Sequence, residues 1–305
     1  MSTIVGLGEV LWDIYPDDRF IGGATANVAL HAIQLGAAGV IVSAVGYDKA
    51  GEALIQQVEE RGGDVRYIQK SIMYETGQVI VQLDEEGKPH FECSEDVAFD
   101  HLIWRVPFQA LATTCDAVIV GTLAQREQDS RITIQKFLDA ATAALVVYDV
   151  NFRGWREDIK EIIRETLKKA DIVKMNGEEL NMMRQAFGET SLSDEAFLNK
   201  LFKNYNIQMA AVTRGAEGCV MADSNGTVHH VPGHSVQVVD TTGCGDAFVA
   251  GLTLKYLEGA SLEESGQFAN RLGAFVSTKK GAVPLYSCQD IVKFFEHTEG
   301  KNGHS

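Results

Sequence analysis

No stretch of this 305-residue chain reaches the roughly 18 consecutive apolar residues of a bilayer span, so no membrane-spanning helix is expected. The opening residues MSTIVGLGEVLWDIY lack a basic segment and carry Glu9 and Asp13 inside the apolar run. A cleaved signal peptide is therefore not expected either. Cysteine is scarce and scattered (Cys93, Cys115, Cys219, Cys244, Cys288), with no CxxC pair. That argues against a disulfide framework or a zinc site and fits reduced thiols in the cytoplasm. The 5 prolines form no linker, and no repeat or low-complexity tract interrupts the chain. Basic residues are outnumbered, 27 Lys plus Arg against 42 Asp plus Glu, a net charge of −15. Such a surface repels phosphate backbones, so nucleic acid is not an expected partner, although a local basic pocket can still hold a nucleotide. What is present, 45% hydrophobic and 23% charged residues, is globular composition.

Short apolar runs alternate with helix-like stretches. Ile4–Val10 reads as a buried strand, Asn27–Leu35 as a helix, Val40–Val45 as a strand and Ala50–Glu60 as a helix. This βαβα order predicts a parallel sheet covered on both faces. The rhythm breaks at Thr76–Glu92, where alternation and the turn Asp84-Glu85-Glu86-Gly87 predict an antiparallel hairpin. It then resumes, with strands at 117–120, 145–148, 172–174 and 209–213 and helices at 128–142, 156–169 and 194–204. A meander from Cys219 to Val231 precedes helices at 246–257, 262–278 and 289–296 and a frayed tail. One domain over residues 1–305 is expected.

The segment Val238-Val239-Asp240-Thr241-Thr242-Gly243-Cys244-Gly245-Asp246 reads as a strand end, a glycine loop and a helix start. The amides of Gly243, Cys244 and Gly245 would lie at the helix N-terminus, where unpaired N–H groups and the macrodipole favour an anion. Asp246 follows in the first turn, within reach of an attacking hydroxyl. An ordinary helix start with an acidic third residue accounts for the same string without a ligand. Neither a Walker A loop nor a full GxGxxG occurs: Gly6-Leu7-Gly8 is followed by Leu11 and Gly243-Cys244-Gly245 by Phe248. At Gly22-Gly23-Ala24-Thr25-Ala26-Asn27 a glycine pair exposes backbone before a helix. Asn27 there offers donors and an acceptor suited to a polyol, or serves only as a turn residue. His229, His230 and His234 cluster without carboxylate or cysteine at ligand spacing, and no metal site is read there. Trp12 suits either a sugar face or plain packing.

Together, GGATANVAL and DTTGCGDAF resemble the two signature regions of the ribokinase family of carbohydrate kinases, also called the phosphofructokinase-B family. Further stretches agree in order: Val45-Gly46-Tyr47-Asp48, Asp149-Val150-Asn151-Phe152-Arg153, Asn176-Gly177-Glu178-Glu179, Thr213-Arg214-Gly215 with Gly218, and Asn270 with Ser277–Ala282. The resemblance spans about residues 4–284. It implies a ribokinase-like central, mostly parallel sheet flanked by helices, with a small β-sheet lid inserted at about 12–21 and 74–98. It also implies transfer of the γ-phosphoryl of ATP to a sugar hydroxyl, with Asp246 as general base and the amides of Gly243, Cys244 and Gly245 as anion hole.

By the same resemblance Asp13, Gly23, Asn27 and Arg153 face the sugar. Asn176, Thr213, Gly215, Gly218 and Asn270 line the nucleotide site. Asn176 and Glu179 order Mg²⁺ through water, although Asn at the N-cap and Glu three residues on also make a capping box. Asp240 and Thr242 fit a K⁺ site, with Leu285 standing where some relatives supply a hydroxyl. Cys244 stands where relatives more often have Ala. A thiol at a helix N-terminus is expected to have a depressed pKa and to be oxidisable, or else is simply a small residue in a tight loop. The stretches Gly121–Ala124 and DVNFR look most like bacterial fructokinases, so fructose is the first reading of the substrate. 2-Keto-3-deoxygluconate follows, with Arg153 on its carboxylate, then ribose, other sugars and nucleosides. A non-catalytic sugar sensor is the reading from a different class, and the incomplete GxGxxG disfavours a nicotinamide oxidoreductase. The lid edge implies a homodimer.

Overall fold

The computed structural model describes residues 1–83, 89–152 and 158–302. Its larger sheet has nine strands in the order β13-β12-β11-β10-β9-β8-β1-β4-β5. These are β1 (Thr3–Leu7), β4 (Ala38–Gly46), β5 (Ile68–Ser71), β8 (Ala117–Val120), β9 (Leu145–Asp149), β10 (Ile172–Asn176), β11 (Met209–Thr213), β12 (Cys219–Asp223) and β13 (Val228–Val231). Strands β5 to β11 of this order run parallel, and β12 and β13 add an antiparallel margin. The helices are α1 (Ala24–Gln34), α2 (Lys49–Glu60), α3 (Val106–Thr114), α4 (Gln128–Ala140), α5 (Ile159–Leu167), α6 (Gly177–Phe187), α7 (Asp194–Asn204), α8 (Cys244–Leu257), α9 (Leu262–Ser277) and α10 (Cys288–Asn302).

The apolar runs of the central strands follow from burial on both faces. Along β8, Val118 and Val120 join one core with α3 to α7, while Ala117 and Ile119 join another with α1, α8, α9 and α10. β9 and β11 divide their residues the same way. The chain builds β1, β4 and β5 outward in one direction, then returns to place β8 on the other side of β1. That reversal leaves a crevice at the carboxyl ends of the strands, the usual ligand position in such sheets.

A second sheet has the order β3-β2-β6-β7, from β2 (Leu11–Tyr15), β3 (Asp18–Gly22), β6 (Gln78–Leu83) and β7 (Pro89–Cys93). The β2–β3 and β6–β7 pairs are antiparallel hairpins joined by parallel pairing of β2 with β6. The turn read at 84–87 lies outside the described residues. Trp12 resolves to packing: it is fully buried and its Nε1 donates to Ala50 O at 2.9 Å.

Among the boundaries that differ from the sequence reading, three bear on the architecture. β1 stops at Leu7, because Gly8 turns the chain into the small sheet. Val238 and Val239 form no strand; both are exposed, and the Val239 amide donates to Ser277 O at 2.8 Å. The final helix, read as ending at 296 before a frayed tail, continues to Asn302.

Candidate active site

Helix α8 starts where the glycine loop forces it to. Gly243 is the N-cap residue at φ 76°, and a Cβ there would lie 2.3 Å from Ala282 O, so a side chain is excluded. The first-turn amides of Gly245 and Asp246 have no intrahelical acceptor by helix geometry. The Cys244 amide reaches back to Thr241 O at 3.3 Å. Asp246 occupies the third position, largely buried, and its Oδ2 accepts from Asn27 Nδ2 at 2.8 Å.

Asn27 is held by the opposite end of the chain. Gly23 caps α1 at φ 99°, where a Cβ would strike Glu9 O at 2.4 Å, and the Ala24 amide donates to Glu9 Oε1 at 3.0 Å. Asn27 Oδ1 is buried and has no protein partner. Asp13, on β2, is buried with its carboxylate against Gly22, where a Cβ would come within 2.4 Å of Oδ2. The structure thus gathers Asp13, Gly23, Asn27 and the Gly243–Asp246 turn. Arg153 lies outside the described residues.

Of the two readings of Cys244, the plain small residue in a tight loop fits the structure better than the depressed thiol. Burial, then the charges of Asp246 and Asp240, push its pKa up to about 12, which outweighs any helix-dipole effect. Its Sγ approaches Asp240 O at 3.9 Å.

A second cluster lies beneath the loop, and sequence reasoning missed its centre. Lys174, in the middle of buried β10, donates to Asp149 Oδ1 and Oδ2 at 2.9 and 3.2 Å. A Cβ on Gly245 would lie 3.0 Å from Lys174 Nζ, so the ammonium packs against the glycine loop. Burial opposes its charge, but Asp149, Glu179 and Asp246 raise its pKa. The available signal was a lysine inside the apolar string Ile172-Val173-Lys174-Met175.

Asn176 and Glu179 form a full capping box: the Glu179 amide donates to Asn176 Oδ1 at 2.8 Å and the Asn176 amide to Glu179 Oε2 at 2.7 Å. Glu179 Oε1 also accepts from the Phe152 amide at 3.2 Å. Burial raises the Glu179 pKa, with Lys174 opposing. Thr213 pairs with Asn176 in the β10–β11 register, and Gly215 and Gly218 bracket the turn into β12. Asn270, on α9, directs its amide to Val231 O and Pro232 O at 3.3 and 3.4 Å.

Asp240 ties two loops together. Its Oδ1 accepts from the Thr242 amide at 2.9 Å and its Oδ2 from the Gly281 amide at 3.0 Å. The Tyr15 hydroxyl, from the small sheet, lies 3.0 Å from Thr242 Oγ1 and donates to Asp240 Oδ2 at 3.4 Å. Leu285 is exposed. Among the described residues, His229, His230 and His234 belong to no metal-holding cluster.

A glycine loop at a helix N-terminus with a buried carboxylate beside it is an arrangement suited to phosphoryl transfer to a hydroxyl. Residues 18–287 match the pfkB family of carbohydrate kinases, and the chain belongs to that family. It is 31% identical to an uncharacterised sugar kinase of Pyrococcus horikoshii, over 98% of this chain and 97% of that one. The crystal structure of that kinase superposes with a TM-score of 0.83, covering 98% of this chain and 99% of that one. The Escherichia coli fructokinase is 31% identical over 93% of this chain and 95% of its own. A Vibrio cholerae fructokinase, solved with fructose, ADP and calcium, is 26% identical with a TM-score of 0.82, covering 96% of this chain and 99% of that one. The protein is an ATP-dependent sugar kinase.

Proposed function

We propose that the protein phosphorylates fructose to fructose 6-phosphate. The observation that carries a polyol acceptor is Asn27, whose amide nitrogen holds Asp246 at 2.8 Å while its buried Oδ1 has no protein partner. A sugar hydroxyl satisfies that orphan acceptor and sits beside the base. In the transfer step the sugar oxygen bonds to the γ-phosphorus. The bond to the β–γ bridging oxygen breaks with its electron pair left on ADP, and the hydroxyl proton passes to Asp246. The amides of Gly243 and Gly245 would receive the charge of the transferring group. Fructose rather than another sugar rests on the fructokinase relatives and on the stretches Gly121–Ala124 and DVNFR.

The donor set suits two cations. Glu179 has both oxygens on backbone amides, so it and Asn176 would hold a hydrated Mg²⁺ through water rather than directly. When bound, that ion neutralises phosphate charge. The oxygens of Asp240 and Thr242, with the carbonyls around them, suit K⁺. The small sheet, with Asp13 on it, would act as the lid over about 12–21 and 74–98 of one domain spanning 1–305. Its exposed Ile80 favours a homodimer through that sheet. Five free thiols suit a cytoplasmic setting.

The test is ATP-dependent turnover, with Mg²⁺ and K⁺, against fructose, 2-keto-3-deoxygluconate, ribose, other hexoses and adenosine. Fructose is expected to show the highest kcat/KM by at least tenfold. A higher value for the keto-acid would replace fructose and assign Arg153 to its carboxylate. Tight sugar binding without turnover of any would favour a sensor.

A further inference from the structure

We propose that Lys174 is a positioning residue for phosphoryl transfer, its ammonium clamped by Asp149 and lodged against Gly245 so that a fixed positive charge underlies the anion hole. Among the described residues Lys174 is the one buried lysine or arginine, 5% exposed, and its partner Asp149 is 2% exposed. Asp149, Glu179 and Asp246 all act on it electrostatically. Three carboxylates therefore share one cation in the place where a negatively charged phosphoryl group must arrive. Without that cation the field at the loop is negative, and it opposes the charge that builds on the transferred group.

The geometry is specific to this role. Asp149 ends β9, and Lys174 lies opposite it in the parallel β9–β10 register. The clamp takes two hydrogen bonds from one ammonium, 2.9 and 3.2 Å long. The flank of Gly245 has no side chain, and a Cβ there would meet Nζ at 3.0 Å. An alanine at 245 would make the ammonium give way by a few tenths of an ångström, away from the loop. A buried ion pair contributes little net stability, which leaves its placement under the loop as its reason for being there.

This inference rests on the reading of Gly243–Asp246 as the phosphoryl-transfer loop. The experiment compares wild type, Lys174→Met, the charge-neutral double variant Asp149→Asn/Lys174→Met, and Asp246→Asn, using whichever sugar the panel identifies. Steady-state kinetics give kcat and KM, calorimetry gives the ADP and sugar affinities, and thermal unfolding reports folding. The double variant removes both members of the buried Asp149–Lys174 pair together, so it is expected to fold even where Lys174→Met does not. Its kcat is expected to fall by about 100-fold, the loss typical of one oxyanion-hole donor. Sugar KM and the affinities for ADP and sugar are expected to stay within about threefold of wild type. A folded double variant with wild-type kcat overturns the proposal, as does a loss confined to KM. Full activity in Asp246→Asn would instead overturn the reading of the loop, and the Lys174 variants remain readable against wild type in that case.

Discussion

Asp246 and Asn27 stand 219 positions apart and meet through one hydrogen bond of 2.8 Å. The types of both residues were legible in the sequence, because a carboxylate after a glycine loop and an amide after a glycine pair are local patterns. Their contact was not, because nothing in either segment encodes the other. The place of Lys174 was not legible for a different reason: a lysine in an apolar strand signals a buried charge, but only the fold sets it against Gly245. Cys244 shows where local logic fails, since the helix terminus favours a thiolate and two nearby carboxylates with burial outweigh it. Asp246→Asn is expected to lower kcat by at least about 100-fold while calorimetry finds sugar affinity within a few-fold of wild type. Wild-type turnover in that variant would remove Asp246 as the base. With a thiol pKa near 12, Cys244 carries almost no thiolate at pH 8. Iodoacetamide is therefore expected to label the exposed Cys288 first, and Cys244→Ala to lose activity in peroxide as readily as wild type. Preferential labelling of Cys244 in a mass-spectrometric time course would reverse that conclusion.

Elements with strong periodicity were read closely: β11 and α7 fall at 209–213 and 194–204 as the pattern indicates. Among the missed ones, β5 and α3 are four and nine residues long and too short or too uniformly apolar to show a period. The loop after α9 is a case where the element matters more than its sequence. His31 on α1 is fully buried and holds this loop, with Nε2 3.0 Å from Ala282 O and Nδ1 2.8 Å from Tyr286 Oη. A carbonyl only accepts, so Nε2 carries the proton and Nδ1 accepts from the tyrosine. Burial, together with the charge of Arg61 and against the pull of the Ala282 carbonyl, lowers the ring to about 4. The sign follows: the neutral ring is favoured in the fold, so its contribution is full above about 6.5 and is lost as pH falls towards 4. Between pH 7 and 4.5, wild type is expected to lose about 2–3 kcal/mol more than His31→Gln, measured by urea unfolding. Equal losses in the two proteins would mean that His31 does not titrate against the fold.

At the scale of the whole molecule, the alternation of strand and helix made the parallel sheet legible, and the break at 76–92 exposed the second sheet. The parallel pairing of β2 with β6 was not legible, because it depends on two hairpins meeting across the body of the protein. That small sheet leaves β3 and β7 as edges and Ile80 41% exposed, a surface that a second copy would cover. Sedimentation is expected to give twice the chain mass for wild type and a shift towards monomer for Ile80→Lys. A wild-type monomer at micromolar concentration would remove the dimer. The contact between Asn27 and Asp246 also sets a schedule for synthesis. A growing chain exposes α1 and Asn27 long before the partner helix leaves the ribosome. At about 5–20 residues per second, the 219-residue gap is a wait of roughly 10 to 40 seconds. Throughout that interval Asn27 and His31 lack the partners they hold in the fold, and a chain truncated before residue 240 folds towards a site it can never close.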